Sequence, residues 1–86
     1  MPTPSIAEFT DASGRRRRLV VRLDPTAAVP LYEQLRAQVS VMVAVGHLEP
    51  GCRLPTVRHL AETLGLAPGT VARAYGELER DGTLVG

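Results

Sequence analysis

Two short apolar stripes separated by a glycine-centred turn occupy residues 54–82 and constrain the fold more than any other feature of the chain. In each stripe the apolar residues are spaced three, one and three residues apart, which places them on one face of an α-helix. Gly65 lies between the stripes and can adopt the left-handed backbone conformation that a tight turn needs. We therefore predict two helices that pack through these inward-facing residues: Val57, Leu60, Ala61 and Leu64, then Val71, Ala74, Tyr75 and Leu78.

The ends of these two helices are marked by residues that start or stop a helix. Thr56 can cap the start of the earlier one with its hydroxyl. Pro68 suits the first position of the later one, because the N–H that proline lacks is not needed there, although Ala67 before it is a poor cap. Asp81 and Gly82 end the later helix.

A further helix, the first of three, is predicted over residues 31–45, between Pro30 and Gly46. It carries a main apolar stripe and a second apolar patch on a different face. This patch either packs against the β-branched segment 19–23, which we predict to be a strand, or contacts a partner subunit or another domain. The main stripe is Leu31, Leu35, Val39 and Met42, and the patch is Ala37, Val41 and Val45.

The N-terminal residues 1–18 are predicted to be a mobile tail, because 1–14 are rich in Pro, Ser, Thr and Ala with few apolar residues. The folded domain is expected to span 19–86. The tail ends in a basic run that is either a solvated linker or an arm that contacts nucleic-acid phosphates. This run consists of Arg15, Arg16, Arg17 and Arg18.

Composition narrows the class of protein. A chain of 86 residues with 44% hydrophobic residues forms a single folded domain. Its net charge of +1 is unevenly placed: residues 1–24 carry five arginines and three acids (+2), and residues 25–86 carry five arginines and six acids (−1). The single cysteine excludes an internal disulfide framework and suits a reducing cytosol. Because no signal-peptide pattern or long apolar run is present, we expect a cytoplasmic protein with no membrane partner.

The outward face of the third helix is suited to contact DNA. With its apolar stripe buried, the exposed residues near its N-terminus are Gly69, Thr70, Ala72 and Arg73. Small residues allow close approach to a duplex, while threonine and arginine can bond base edges or phosphates. The alternative is that Arg73 is a solvated charge paired with Glu77, four residues on.

Arg58 lies on the outer face of the second helix, two residues after Thr56. The N–H groups at the start of a helix favour a phosphate, and Arg58 could bind the same group. The alternative is an exposed ion pair with Glu62, which contributes little to stability.

An enzyme is poorly supported by the sequence. His47 and His59 have no Cys or carboxylate at metal-ligand spacing, and Cys52 is expected to be an inert thiol. The sequence has neither a glycine-rich phosphate loop nor a Ser/His/Asp arrangement. We therefore expect no catalysis, no metal and no cofactor.

Three motifs within residues 30–85 resemble the winged-helix DNA-binding domain of the GntR family of bacterial transcription regulators. They are PLYEQLRAQV, LEPGCRLPTVRHLAETLGL and GTVARAYGELERDG, and together they cover about two thirds of the chain. The segment VVRLDPTAAVPLY and the TVARAY variant look most like the YtrA and MocR branches. The resemblance implies a mostly α fold with short β-strands, a three-helix core and a wing. It also implies a homodimer that binds operator DNA, with a small-molecule effector sensed by a C-terminal domain.

The DNA-contacting positions of the family carry over in part. The arginine of its LPSxR motif corresponds to Arg58, with Thr56 in place of the serine cap. Thr70 and Arg73 match positions of its recognition helix. Three positions are small or apolar here where longer polar residues are usual in the family: Pro68, Gly69 and Ala72. The resemblance therefore implies direct base reading by few side chains.

The sequence ends at Gly86, before the second strand of the family's wing and before any effector domain, so we expect an incomplete wing. The predicted function is a sequence-specific DNA-binding transcription regulator whose third helix enters the major groove. The alternative is a winged-helix module for protein interaction or dimerisation, such as a truncated regulator that pairs with a full-length partner.

Overall fold

The computed structural model describes residues 4–10, 14–46 and 54–83. These residues form a two-stranded sheet followed by three helices. The elements are β1 (Ser5–Thr10), β2 (Arg16–Val21), α1 (Leu31–Ala44), α2 (Val57–Leu64) and α3 (Pro68–Arg80).

The N-terminal residues form an antiparallel hairpin, which differs from the mobile tail predicted for residues 1–18. The register pairs Ser5 with Val21 and runs to Thr10 opposite Arg16. Burial alternates along both strands, so that Ala7 and its partner Leu19 are fully buried. This alternation explains the strand, because every second residue of a strand points to the same face and only one face of this hairpin meets the core.

Two glutamines of α1 form hydrogen bonds with the backbone of the segment that follows β2, as a neighbouring strand would. The side-chain amide of Gln38 accepts from the N–H of Arg22 at 2.7 Å and donates to its carbonyl oxygen at 2.6 Å. The side-chain amide of Gln34 likewise accepts from the N–H of Asp24 at 2.8 Å and donates to its carbonyl oxygen at 3.0 Å. The backbone N–H and C=O groups of Arg22 and Asp24 are thereby paired, and the chain after β2 is held against α1.

The helix boundaries predicted from the sequence are confirmed within one residue. Helix α1 begins after Pro30 and α3 begins at Pro68, where Ala67 provides no side-chain cap, as expected. The last turn of α3 is followed by Asp81, whose carboxylate accepts from the N–H of Thr83 at 2.9 Å. Side-chain and backbone hydrogen bonds with Thr83 hold the pKa of the Asp81 carboxyl below its ordinary value.

One continuous core joins all five elements. Its fully or almost fully buried residues are Ala7, Leu19, Val21, Leu35, Val39, Leu60, Ala61, Val71, Ala74 and Leu78. The inward stripes predicted for the second and third helices supply half of this set, which confirms them as core. The hairpin packs on α1 and α2. Helix α3 packs on the same two helices and does not contact the hairpin.

The second apolar patch of α1 does not pack against the strand β2, which corrects one of the two interpretations of that patch. Val41 and Val45 remain 58% and 62% exposed, and Ala37 is half-buried. Leu19 and Val21 point instead into the common core. The other interpretation, contact with a partner subunit or another domain, stays a prediction.

The sequence also predicts short strands at 52–54 and 83–86, and these residues lie largely outside the described part of the chain. The second of these is the first strand of the predicted wing. Among the described helices, none is both long and apolar enough to cross a bilayer.

Candidate nucleic-acid interface

The start of α2 is capped as the sequence predicts. The Thr56 hydroxyl oxygen accepts a hydrogen bond from the N–H of His59 at 3.1 Å, and Thr56 itself has an extended backbone. This is half of a capping box, since His59 stands where an acidic residue would close the other half. Arg58 is exposed in the same first turn. The guanidinium and the N-terminal N–H groups of α2 therefore lie at one end of the helix, where they favour an anion.

Replacing Thr56 with alanine is expected to lower the free energy of unfolding by about 1 kcal/mol, because the N–H of His59 loses its acceptor. The measurement is urea unfolding followed by circular dichroism. Thr56→Ser keeps the hydroxyl and serves as the control, with a change well below that of alanine. If the two variants lose the same stability, the hydrogen bond to His59 is not the source of the effect.

The turn between α2 and α3 fixes the angle at which the two helices meet. Gly65 has φ 69° and ψ 32°, the left-handed conformation predicted for it. The N–H of Leu66 donates to the carbonyl of Ala61 at 2.9 Å, which closes the last turn of α2. Farther along α3, the Tyr75 hydroxyl donates to the carbonyl of Pro55 at 2.7 Å. The start of α2 is therefore bonded directly to the middle of α3.

The first two turns of α3 present the residues that the sequence assigned to its outer face. Gly69, Ala72 and Arg73 are exposed and Thr70 is half-buried. Pro68, at the first position of the helix, is also exposed. Apart from Arg73, these side chains are short, which permits close approach to a duplex.

The guanidinium of Arg73 lies over the ring of Tyr32, 4.0 Å from the ring centre. Tyr32 is the second residue of α1, so this contact joins the start of the first helix to the outer face of the third. A guanidinium over an aromatic face gains roughly 0.5–1 kcal/mol at an exposed site and is held in one orientation. No local sequence pattern singles out Tyr32 for this contact, because Tyr32 borders the inward stripe of α1 and also packs against the core.

Neither alternative ion pair forms in the described residues around this site. Arg73 is not paired with Glu77, and Arg58 is not paired with Glu62. The two guanidiniums that the sequence assigned to DNA are thus not neutralised by the carboxylates four residues on.

A different ion-pair network stabilises the C-terminal end of α3. Arg36 of α1 pairs with Glu33 in its own helix and reaches Asp81 at 3.9 Å. The hydrogen bond with Glu33 is the main reason that the pKa of Arg36 is raised, and the same bond lowers the pKa of Glu33. This network lies at the C-terminal end of α3, so it helps to hold the helix without occupying its outer N-terminal face.

The basic run lies on the hairpin, near the start of α2. Arg16 and Arg18 are on the outer face of β2 and both pair with Glu8, at 3.2 Å and 3.7 Å. The Nε2 atom of His59 is 3.3 Å from the carbonyl oxygen of Glu8. Two further arginines belong to the same run: Arg15, which is exposed, and Arg17, which is half-buried on the inner face.

The helical part of the chain matches a known family. Residues 31–85 match the family described as "Bacterial regulatory proteins, gntR family". The chain belongs to the GntR family. The match begins at the first residue of α1 and includes α2 and α3, so that the three-helix unit is the GntR part of the chain. The β1–β2 hairpin precedes it.

Individual relatives are also named as transcription regulators. The chain is 59% identical over 59 residues to the HTH-type transcriptional regulator Rv1152 of Mycobacterium tuberculosis, covering 69% of this chain and 49% of that protein. It is 40% identical over 65 residues to the HTH-type transcriptional repressor YtrA of Bacillus subtilis, covering 76% and 50%. The chain therefore spans about half the length of these relatives.

A solved structure supports the winged-helix fold predicted from the sequence. YtrA from Sulfolobus acidocaldarius, a GntR-family transcription factor, matches with a TM-score of 0.69 at 37% identity, covering 72% of this chain and 66% of that chain. The three helices and the two-stranded antiparallel sheet are consistent with a winged helix. The chain is a DNA-binding domain of a GntR-family transcription regulator.

Proposed function

We propose that this domain binds a specific operator sequence in double-stranded DNA, with the outer face of α3 in the major groove. The observation that carries the proposal is the joint placement of two surfaces. The exposed N-terminal turns of α3 and the capped start of α2 are locked together by the hydrogen bond from Tyr75 to Pro55. A rigid pair of this kind can present one helix to the bases while the other contacts the backbone.

Each named residue has a distinct part in this mode of binding. Arg58 and the N–H groups at the start of α2, set by the Thr56 cap, bind a phosphate. Gly69 lets the backbone of α3 approach the duplex closely. Thr70 and Arg73 reach base edges, and among the described residues these two side chains carry the sequence information. Specificity therefore rests mainly on Arg73.

The proposal is tested by selection of duplexes from a pool of random sequence, since the operator is not known in advance. A sequence-specific domain enriches one common motif over successive rounds. If the protein is recovered with DNA at low salt but the pool stays random, the domain contacts the DNA backbone without reading bases. That result refutes specific operator binding.

Replacing Arg58 with alanine is expected to weaken binding to the selected duplex and to random duplex alike, because a phosphate contact carries no sequence information. The slope of log K against log salt concentration becomes shallower by about one unit for one lost phosphate. Arg80→Ala is the matched control, since Arg80 is also exposed but lies at the C-terminal end of α3. If the slope is the same in Arg58→Ala and in the parent chain, Arg58 does not contact a phosphate.

The competing function is a protein-interaction or dimerisation module, and the exposure of Val41 and Val45 on α1 is the observation that favours it. We propose that the regulator works as a homodimer in the cytoplasm, as the resemblance to the family implies, and that any small-molecule effector acts through a separate domain. Sedimentation equilibrium of this chain decides whether these residues alone form a dimer. A monomer at all concentrations assigns dimer formation to another part of the regulator.

A further inference from the structure

The β1–β2 hairpin is the part of the chain that the family match does not cover. The match begins at residue 31, whereas the hairpin ends at Val21. Residues 1–24 contain five arginines and three acids, Glu8, Asp11 and Asp24, which gives a charge of +2. Residues 25–86 carry −1. The strongest positive charge of the molecule therefore lies outside its three-helix unit.

The arginines of the hairpin form a cluster rather than a scattered charge. Glu8 stands opposite Arg18 in the register, accepts a hydrogen bond from Arg16 and forms an ion pair with Arg18. A surface cleft is lined by Glu8, Arg16, Arg17 and Arg18. The side chains of Arg16 and Arg18 remain 82% and 71% exposed. One carboxylate cannot satisfy two guanidiniums, each of which has five N–H donors. Exposed ion pairs of this type are weak, so an incoming phosphate can compete with Glu8.

The cluster is also fixed in position relative to the start of α2. Helix α2 packs against β1, and the ring of His59 lies 3.3 Å from the carbonyl of Glu8. His59 directly follows Arg58, the proposed phosphate contact of α2. The arginine cluster, on the outer face of the hairpin, and Arg58, in the first turn of α2, therefore lie on two elements that are in direct contact.

We propose that the hairpin is a second phosphate-binding surface, which contacts the backbone of the same duplex beside the helix-turn-helix unit. This inference rests on the proposed DNA binding. Arg16 and Arg18 exchange their shared carboxylate for DNA phosphates. The surface adds affinity that depends on salt but not on base sequence. Glu8 limits this affinity, because it competes for the same guanidiniums.

The first experiment removes the two guanidiniums that pair with Glu8. The double variant Arg16→Ala/Arg18→Ala is expected to make the slope of log K against log salt shallower by about 1.8, on the selected duplex and on random duplex alike. The single variants Arg16→Ala and Arg80→Ala each remove one charge, and Arg80→Ala serves as the control because Arg80 lies in α3, away from the hairpin. Equal changes in Arg16→Ala and Arg80→Ala indicate a net-charge effect and overturn the proposal, and so does an unchanged slope in Arg16→Ala/Arg18→Ala.

The second experiment changes the affinity in the opposite direction. Glu8→Gln removes the competing carboxylate, so it is expected to tighten binding to both duplexes and to steepen the slope by up to about one unit. If Glu8 serves only to hold the hairpin together, the variant melts earlier and binds no better, which contradicts the proposal. The two proposals fail in different ways. A parent chain that binds no duplex at low salt refutes DNA binding itself, whereas a parent that binds with the slope of Arg16→Ala/Arg18→Ala refutes only the role of the hairpin.

Discussion

Replacing Leu78 with alanine is expected to lower the free energy of unfolding by about 2–5 kcal/mol. Leu78 is fully buried in α3, within the core that joins all three helices and the hairpin. Alanine leaves a cavity that the neighbouring helices cannot close without losing their own contacts. A domain of this size has a total stability of roughly 5–15 kcal/mol, so the loss is a large share of the whole. Urea unfolding followed by circular dichroism measures it.

Val41→Ala is the matched control for this prediction, because Val41 is 58% exposed on the outer side of α1. Its expected change is within about 0.5 kcal/mol, as for other surface substitutions. A loss at Val41 as large as that at Leu78 would show that Val41 is buried in an assembly of chains in solution. A loss below about 1 kcal/mol at Leu78 contradicts the packing of α3 described above.

Replacing Arg73 with alanine is expected to cost about 1–3 kcal/mol in binding to the selected duplex and distinctly less on random duplex. Arg73 is the only long basic side chain on the exposed N-terminal turns of α3, and no carboxylate in the described residues pairs with it. A guanidinium that bonds two acceptors of one base discriminates among sequences, whereas a phosphate contact does not. Equal losses of binding free energy on the two duplexes would show that Arg73 contacts only the DNA backbone.

The ring of Tyr32 provides a graded control for Arg73. The guanidinium already lies over this ring in the structure, so Tyr32 holds Arg73 near one orientation before DNA arrives. Tyr32→Leu keeps an apolar side chain but removes the aromatic face. It is expected to reduce binding to the selected duplex by less than Arg73→Ala, while Tyr32→Phe retains the parent affinity. Tighter binding by Tyr32→Leu would mean that the stacked contact competes with DNA.

The helices could be predicted from the sequence because their signals are local. Pro30, Thr56, Gly65 and Pro68 set ends that depend only on backbone conformation and nearby N–H groups. The outer residues of α3 followed from the buried ones, since a helix that buries one face exposes the opposite face. The winged-helix class and the family membership followed from motifs that lie in these helices.

Only part of the hairpin could be predicted in the same way. Residues 19–21 of β2 lie in the segment predicted as a strand, but β1 and the arginine-rich start of β2 were not predicted. Ile6, Ala7, Glu8 and Phe9 are too few to show alternation without the partner strand, and four consecutive arginines look like a solvated run. The structure shows that these arginines alternate between two faces as β2 does. The contact of Arg73 with Tyr32 joins two helices that are distant in sequence, and no local pattern encodes it. Both features depend on packing between residues that are distant in sequence, which no local pattern encodes.

The most direct test of DNA docking is a salt titration of the unmodified chain, with binding to the selected duplex and to random duplex measured side by side. Phosphate contacts from α2 and the hairpin predict that both duplexes bind at low salt and that log K falls linearly with log salt concentration. Base contacts from α3 predict that the selected duplex binds more tightly throughout the series. Absence of binding to either duplex at low salt contradicts DNA docking and favours the protein-interaction module.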